Sequence, residues 1–324
     1  MKNTNNAKKK IFIDGRAGTT GLRIFDRLAL IIENSAADIE IISLSEEKRK
    51  DTEERKKALN SCDIAFLCLP DAAAIEAVSL IENEDVVVID TSTAHRTNSG
   101  WAYGFPELGE SFAEKIRSSK RIAVPGCHAS GFIALVYPLV ESGIISPDTL
   151  LTCHSLTGYS GGGKKMIEQY ETDKKERDAL LDAPRQYGLA QKHKHLKEMK
   201  AITGINNAPI FCPIVADFYS GMEVTVGLFA SQLLPGKTVE DIKRVYSEKY
   251  KGKLVAYREN TDEEGFISSG KLSKKDNMEI SVYGNDERII LTARYDNLGK
   301  GASGTAIECL NSVLGIALDT GLDI

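Results

Sequence analysis

Cys127 has the setting of a nucleophile. It stands in Val124-Pro125-Gly126-Cys127-His128-Ala129-Ser130-Gly131, after a short apolar segment and a Pro-Gly turn and just before helical text. A thiol at a helix N-terminus faces the positive end of the helix dipole, which favours the thiolate and lowers the thiol pKa. An ionised sulfur attacks electrophilic carbon at neutral pH. The other five cysteines, Cys62, Cys68, Cys153, Cys212 and Cys309, lie in apolar or strand-like text and read as core residues. A nucleophilic thiol needs an acid/base partner. Five histidines are available: His95, His128, His154, His193 and His195. His128 adjoins Cys127, but neighbouring side chains at a helix start diverge. His193 and His195 lie in a charged segment, HKHLKEM, which also reads as a solvated surface. His154 leads into Ser155–Lys165, where flexible glycines are followed by Lys164 and Lys165. Such a stretch can wrap a phosphate or the nicotinamide end of a cofactor, or form a mobile loop.

A second chemistry-bearing segment is Gly15-Arg16-Ala17-Gly18-Thr19-Thr20-Gly21, between an apolar strand and a helix. Glycines let backbone turn sharply and approach a pyrophosphate, and the following helix offers free N–H groups. Its spacing is GxxGxxG, not the commoner GxGxxG, so the strand–loop–helix context carries the reading. The next strand ends in Ser43-Leu44-Ser45-Glu46-Glu47-Lys48-Arg49-Lys50. Hydroxyls followed by Lys48 and Arg49 suit a ribose 2′-phosphate better than the acidic residue usual in NAD sites, which favours NADP. The competing reading is a solvated helix start capped by Ser45.

These groups need elements to hold them. Apolar runs at 11–14, 39–44, 63–69, 85–90 and 121–124 alternate with helical text at 22–33 and 71–82. That order predicts an α/β, doubly wound parallel sheet of Rossmann type. Functional residues then gather at strand C-terminal ends, here Gly15, Ser43, Pro70, Ser92 and Cys127. The later half mixes a helix at 132–140, strand-like text at 209–230 and two strands within 278–295 around Gly284-Asn285. It reads as an α+β domain with a mixed or antiparallel sheet. Residues 301–319 are helical and can pack back on the first domain. The polar stretch 170–200 reads equally as a mobile arm or an oligomer contact.

Composition limits the function. The 324 residues carry a net charge of −5 and 42% hydrophobic residues. That content supplies real cores and argues against a nucleic-acid surface. No apolar run approaches the roughly 18–20 residues of a membrane span. The N-terminal MKNTNNAKKK has no apolar signal-peptide region. No cysteine group has zinc-ligand spacing, so no metal is expected. A reducing cytoplasm suits free thiols.

Taken together the motifs resemble the N-acetyl-γ-glutamyl-phosphate reductase family of arginine biosynthesis, in its shorter form. The resemblance runs through IFIDGRAGTTGL (11–22), IDTSTAHR (89–96), WAYGFPEL (101–108), VPGCHASG (124–131), HSLTGYSGGGKKMI (154–167), HKHLKEM (193–199), DFYSGM (217–222) and DNLGKGASG (296–304). It implies an NADP-binding Rossmann domain of residues 1–126 and 301–324, and a catalytic and dimerisation domain of residues 127–300. It implies NADPH-dependent reduction of N-acetyl-glutamyl 5-phosphate to the 5-semialdehyde and phosphate, through a Cys127 thioester. His195 matches the family's acid/base, with His193 in reserve. Gly15, Gly18, Thr19, Thr20 and Gly21 match the pyrophosphate site. Thr157–Gly163, including Ser160 and Gly161, match the segment bordering the nicotinamide, with Asn297 near its amide. Arg96 and Lys164, with His154, are candidate substrate contacts. Dimers or tetramers are expected. Aspartate-semialdehyde dehydrogenase, a related acyl-phosphate reductase and a non-catalytic dinucleotide sensor are the alternatives.

Overall fold

The computed structural model describes residues 8–324. The first half contains β1 (Lys9–Asp14), α1 (Thr19–Glu33), β2 (Ile39–Ile42), α2 (Thr52–Ser61), β3 (Ile64–Leu67), α3 (Asp71–Ser79), β4 (Val87–Asp90), β5 (Ala102–Tyr103), α4 (Glu110–Ser118) and β6 (Arg121–Ala123). The six strands form one parallel sheet in the order β2-β1-β3-β4-β6-β5. β3 and β4 are buried along their whole length, as expected of strands covered on both faces. Ile24, Leu28 and Ile31 recur on one face of α1 and bury it against the sheet. From β1 the chain steps one way to β2 and then returns the other way to β3. The topological switch point therefore lies at the C-terminal ends of β1 and β3, which is where such sheets bind ligands.

The second half contains α5 (Cys127–Glu141), β7 (Thr152–Gly158), α6 (Gly163–Glu171), β8 (Arg185–Gln186), α7 (His195–Thr203), β9 (Ile210–Ala216), β10 (Met222–Phe229), α8 (Val239–Lys249), β11 (Val255–Tyr257), β12 (Met278–Gly284), β13 (Arg288–Tyr295) and α9 (Gly304–Leu314). Its seven strands form a mixed sheet in the order β11-β12-β13-β10-β7-β9-β8. α5 begins at Cys127, five residues before the helix expected at 132–140, and is buried on nearly every side. Pro138 lies inside it and cannot donate to the carbonyl of Ala134. The Tyr250 hydroxyl donates to that carbonyl instead, at 2.7 Å. α9 returns to the first sheet, where Ala306, Ile307, Cys309 and Leu310 join the core around Ile11, Ile24 and Ile122. Its first turn, Gly299–Ser303, is π-helical, so the expected helix of 301–319 is shorter and irregular at its start. Arg27 of α1 donates to buried Asp276 at 2.9 Å, pinning the two halves together.

The stretch 170–200 packs as an ordered part of the fold. Tyr170 and Leu181 are buried, and Arg177 pairs with Asp182 and Asp217. No helix among the described residues is long and apolar enough to cross a membrane.

Candidate active site

Two cavities open along the switch point, both bordered by Leu69. The first, about 580 Å³, is lined by Gly15, Arg16, Ala17, Ser43, Leu44, Glu46, Arg49 and Lys50. The second, about 620 Å³, runs from Gly18, Thr19 and Thr20 past Pro70 and Ser92 to Cys127. It also takes in Arg96, Thr157, Ser160, Gly161, His193, His195 and Asn297. The start of α1 lies between them. Gly15 turns with φ +84°, and a Cβ there would meet the Cys68 carbonyl oxygen at 2.3 Å. α1 starts without a side-chain cap and without an acidic residue in its first turn. A fifteen-residue helix with free N–H groups facing a cavity fits a pyrophosphate. Gly21 does not face the cavity. It lets α1 pack on the loop, since a Cβ would meet the Gly15 carbonyl oxygen at 2.6 Å.

The lining of the first cavity differs from expectation. Ser43 and Arg49 line the first cavity, but Ser45 and Lys48 do not. Lys48 turns out to solvent and pairs with Glu54 at 3.2 Å. Ser45 does not cap a helix either: α2 starts seven residues later, capped by Asp51. Arg49 is partnered by Glu46 at 2.7 Å. The cation that sequence reading missed is Arg16, inside the glycine loop. Its guanidinium sits 3.4 Å from the Phe25 ring centroid and donates to the Ser43 hydroxyl at 3.1 Å.

At the inner end, Cys127 opens α5 and is partly exposed to the cavity. His195 opens α7. Both side chains line the same cavity, and at Gly126, the residue before Cys127, a Cβ would lie 2.4 Å from His195 Nε2 and 2.3 Å from an Arg96 guanidinium nitrogen. Only glycine fits there. Buried Glu198, one turn after His195, organises the group. It accepts from Arg96 at 3.0 Å, from the Tyr103 hydroxyl at 2.8 Å and from the Gly126 N–H at 2.8 Å. Arg96 also donates to the carbonyls of Val124 and Thr91, so it is held rigidly while still lining the cavity. Asn297 donates to Ser160 at 3.0 Å and accepts from the Gly221 N–H at 3.0 Å, which fixes its orientation. Ser92 donates to Asp90, whose carboxylate also holds His95 at 2.7 Å; His95 stacks on Trp101 and takes no part in the site.

Electrostatics correct one expectation. Burial pushes the Cys127 thiol above its ordinary value, and the opposing pull of Arg96 and the His128 N–H does not overcome it. Burial also pushes His195 well below the usual imidazole range, helped by Arg96, His128 and His193. The resting pair is therefore neutral thiol and neutral imidazole, not the dipole-stabilised thiolate expected from the helix start. His193 accepts the His195 backbone N–H at 3.2 Å and stands one ring away. His128 does not diverge from the site. It bonds Ser155 at 2.6 Å and the Tyr187 hydroxyl at 2.7 Å, and burial holds it down to about 3.

Two further candidates are not brought to the cavity. β7 alternates, so Cys153, Ser155 and Thr157 face inward while His154 is exposed on the opposite face. Lys164 is exposed in the first turn of α6, outside the lining. Among the described residues no group of His, Cys, Asp and Glu is arranged to hold a metal.

Comparison with known proteins gives the family. Residues 18–118 match the semialdehyde dehydrogenase NAD binding domain, and residues 127–297 match the semialdehyde dehydrogenase dimerisation domain. The chain is 42% identical over 325 residues to N-acetyl-gamma-glutamyl-phosphate reductase 2 of a Nostoc species, covering 97% of this chain and 99% of that one. It is 42% identical over 313 residues to the N-acetyl-gamma-glutamyl-phosphate reductase of Sinorhizobium medicae, covering 95% and 99%. Among solved structures, aspartate semialdehyde dehydrogenase II of Vibrio cholerae superposes with a TM-score of 0.72 at 17% identity, over 96% of this chain and 99% of that one. The Candida albicans aspartate semialdehyde dehydrogenase, solved with NADP, gives 0.65 at 16% identity, over 95% and 99%. At such identity the solved structures speak to the fold alone.

Proposed function

Because the chain belongs to the N-acetyl-gamma-glutamyl-phosphate reductase family, we propose that it reduces N-acetyl-glutamyl 5-phosphate to N-acetyl-glutamate 5-semialdehyde and phosphate, a step of arginine biosynthesis, with Cys127 as nucleophile. The observation that carries this reading is that Cys127, His195 and Arg96 line one cavity, with His195 and Arg96 closing on Gly126 beside Cys127, and that this cavity begins on the glycine turn. The cofactor is NADP(H), which supplies hydride when bound. Gly15, Gly18, Thr19 and Thr20 hold its pyrophosphate, Arg16 with Ser43 and Arg49 its 2′-phosphate, and Pro70, Ser92, Ser160, Gly161 and Asn297 its nicotinamide end. In this reading residues 1–126 and 301–324 carry the cofactor, and residues 127–300 carry the chemistry.

His195 Nε2 accepts the thiol proton as the Cys127 sulfur bonds to the acyl carbon, since a neutral imidazole beside a neutral thiol is the form a general base requires. The Nδ1 of His195 is buried without a hydrogen-bond partner among the described residues, so no hydrogen bond at that nitrogen stabilises the imidazolium. The incoming phosphate does: its charge offsets Arg96 and Lys194, which otherwise disfavour a protonated His195. The tetrahedral oxyanion is met by N–H groups at the start of α5. Phosphate leaves and Cys127 holds the acyl group as a thioester. After reduction, His195 returns its proton to the departing sulfur.

A cytoplasmic site of action fits six unpaired cysteines. A homodimer or homotetramer, formed through the exposed face of the seven-stranded sheet, fits the matched dimerisation domain and the apolar Ile210, Phe229 and Ile290 on that face. Phosphate-dependent NADP⁺ reduction with N-acetyl-glutamate 5-semialdehyde tests the activity. Preference for aspartate semialdehyde, or no turnover of either, would overturn it.

A further inference from the structure

Tyr295 ends β13, two residues before Asn297, and is fully buried. Its hydroxyl donates to the Cys127 carbonyl at 2.5 Å and accepts from the Gly131 N–H at 3.0 Å. A side chain from the mixed sheet is thus inserted at the first turn of the nucleophile's helix. Gly131 makes the room, since a Cβ there would lie 2.7 Å from that hydroxyl.

We propose that Tyr295 is a positioning residue for the nucleophile, acting through the peptide group between Cys127 and His128. This rests on the reading of Cys127 as the reactive thiol. The peptide is planar, so gripping its carbonyl fixes the direction of the His128 N–H at its other end. That N–H points back out of the helix start, toward the cavity, and lies beside the Cys127 sulfur, where it favours the thiolate. A hydrogen bond to the carbonyl also polarises the amide and strengthens its N–H as a donor. The other charged groups facing the sulfur are Arg96 and Lys194, which favour ionisation, and Glu198, which opposes it. None of them is hydrogen-bonded to Tyr295. In a site where burial already works against the thiolate, the Tyr295 contact sets how much of it forms. The same strand end that orients Asn297 therefore also orients the sulfur's own donor.

The test is alkylation of Cys127 in Tyr295→Phe, followed by rapid pH jumps from pH 7 to 10.5 and read on the Cys127 peptide by mass spectrometry. Where the freed peptide turns the His128 N–H off the sulfur, the thiolate loses one hydrogen bond of ordinary strength, which predicts roughly three- to tenfold less thiolate at neutral pH, a midpoint raised by about half to one unit, and an unchanged fitted plateau. Gly131→Ala, which keeps the phenol but crowds its hydroxyl, is expected to move the midpoint in the same direction. A midpoint unchanged in both variants overturns the proposal. A fall of the plateau without a midpoint shift also overturns it, because that reports access instead of ionisation. Alkylation needs no turnover, so it is independent of the assigned reaction: a fully active Cys127→Ser would remove the reaction scheme and leave this result standing.

Discussion

Arg16 gives the sharpest prediction about cofactor choice. Its guanidinium is stacked on Phe25 and tethered to Ser43, and it pairs with no carboxylate among the described residues. Its charge is therefore available to a 2′-phosphate, whereas Arg49 is already partly satisfied by Glu46. A hydrogen bond to a charged group contributes about 1.5–3 kcal/mol, and each 1.4 kcal/mol is about tenfold. Arg16→Ala should then raise the NADPH Michaelis constant by roughly 10- to 100-fold. NADH lacks the phosphate, so its constant should change by no more than about threefold, through the lost stack on Phe25. Arg49→Ala should cost NADPH less than about fivefold, because Glu46 shares its charge. Steady-state kinetics with both cofactors decides this. Equal proportional increases for NADPH and NADH in Arg16→Ala would refute the assignment of the phosphate to Arg16.

Other consequences are equally open to measurement. Cys127→Ser should lower kcat by at least about a thousandfold while leaving NADPH binding by fluorescence titration within about twofold, since a serine hydroxyl stays protonated. Gly126→Ala should be folded by circular dichroism yet lose at least about a hundredfold in kcat/KM, because its methyl would fall on both Arg96 and His195. The pH profile of kcat/KM should be broad. His195 is lowered, so the acid limb falls well below the usual imidazole value of 6.5; Cys127 is raised, so ionisation of the thiol adds no inflection below 9.0. A limb between those values would contradict the neutral resting pair. In the interior, Lys300 is clasped by Glu107 and Glu308, and burial raises the Glu308 carboxyl. The stability tied to that proton is fully present below the ordinary glutamate pKa and is lost as pH rises through the raised value. Glu308→Gln should therefore cost under about 1 kcal/mol near neutrality and flatten this decline, whereas Lys300→Met should cost about 3–5 kcal/mol in urea unfolding.

Local text carried much of the site. The strand–glycine–helix signature located the α1 turn, and the Pro-Gly-Cys step located the start of α5 on the cavity, because in a doubly wound sheet strand ends are where such residues converge. What escaped is mostly nonlocal. Glu198 meets Arg96 across 102 residues, and Tyr295 meets Cys127 across 168, with nothing in either segment to announce the contact. The thiol expectation failed because helix polarity is visible in a sequence while the desolvation that outweighs it is not. His154 was recoverable. Once Thr157 is placed inward, the two-residue period of a strand puts His154 outward. Lys48 and Arg16 show a related limit. Counting cations after the second strand cannot reveal that Glu54 engages Lys48, while a loop arginine folds back over Phe25 to reach the Ser43 hydroxyl.

The central claim is tested most directly by intact-mass and peptide analysis of the enzyme given NADP⁺ and N-acetyl-glutamate 5-semialdehyde without phosphate. With no phosphate to release the acyl group, the account predicts a burst of about one NADPH per subunit and an N-acetyl-glutamyl group on the peptide bearing Cys127. A burst without an acyl adduct, or an adduct carried by any other residue, would contradict it.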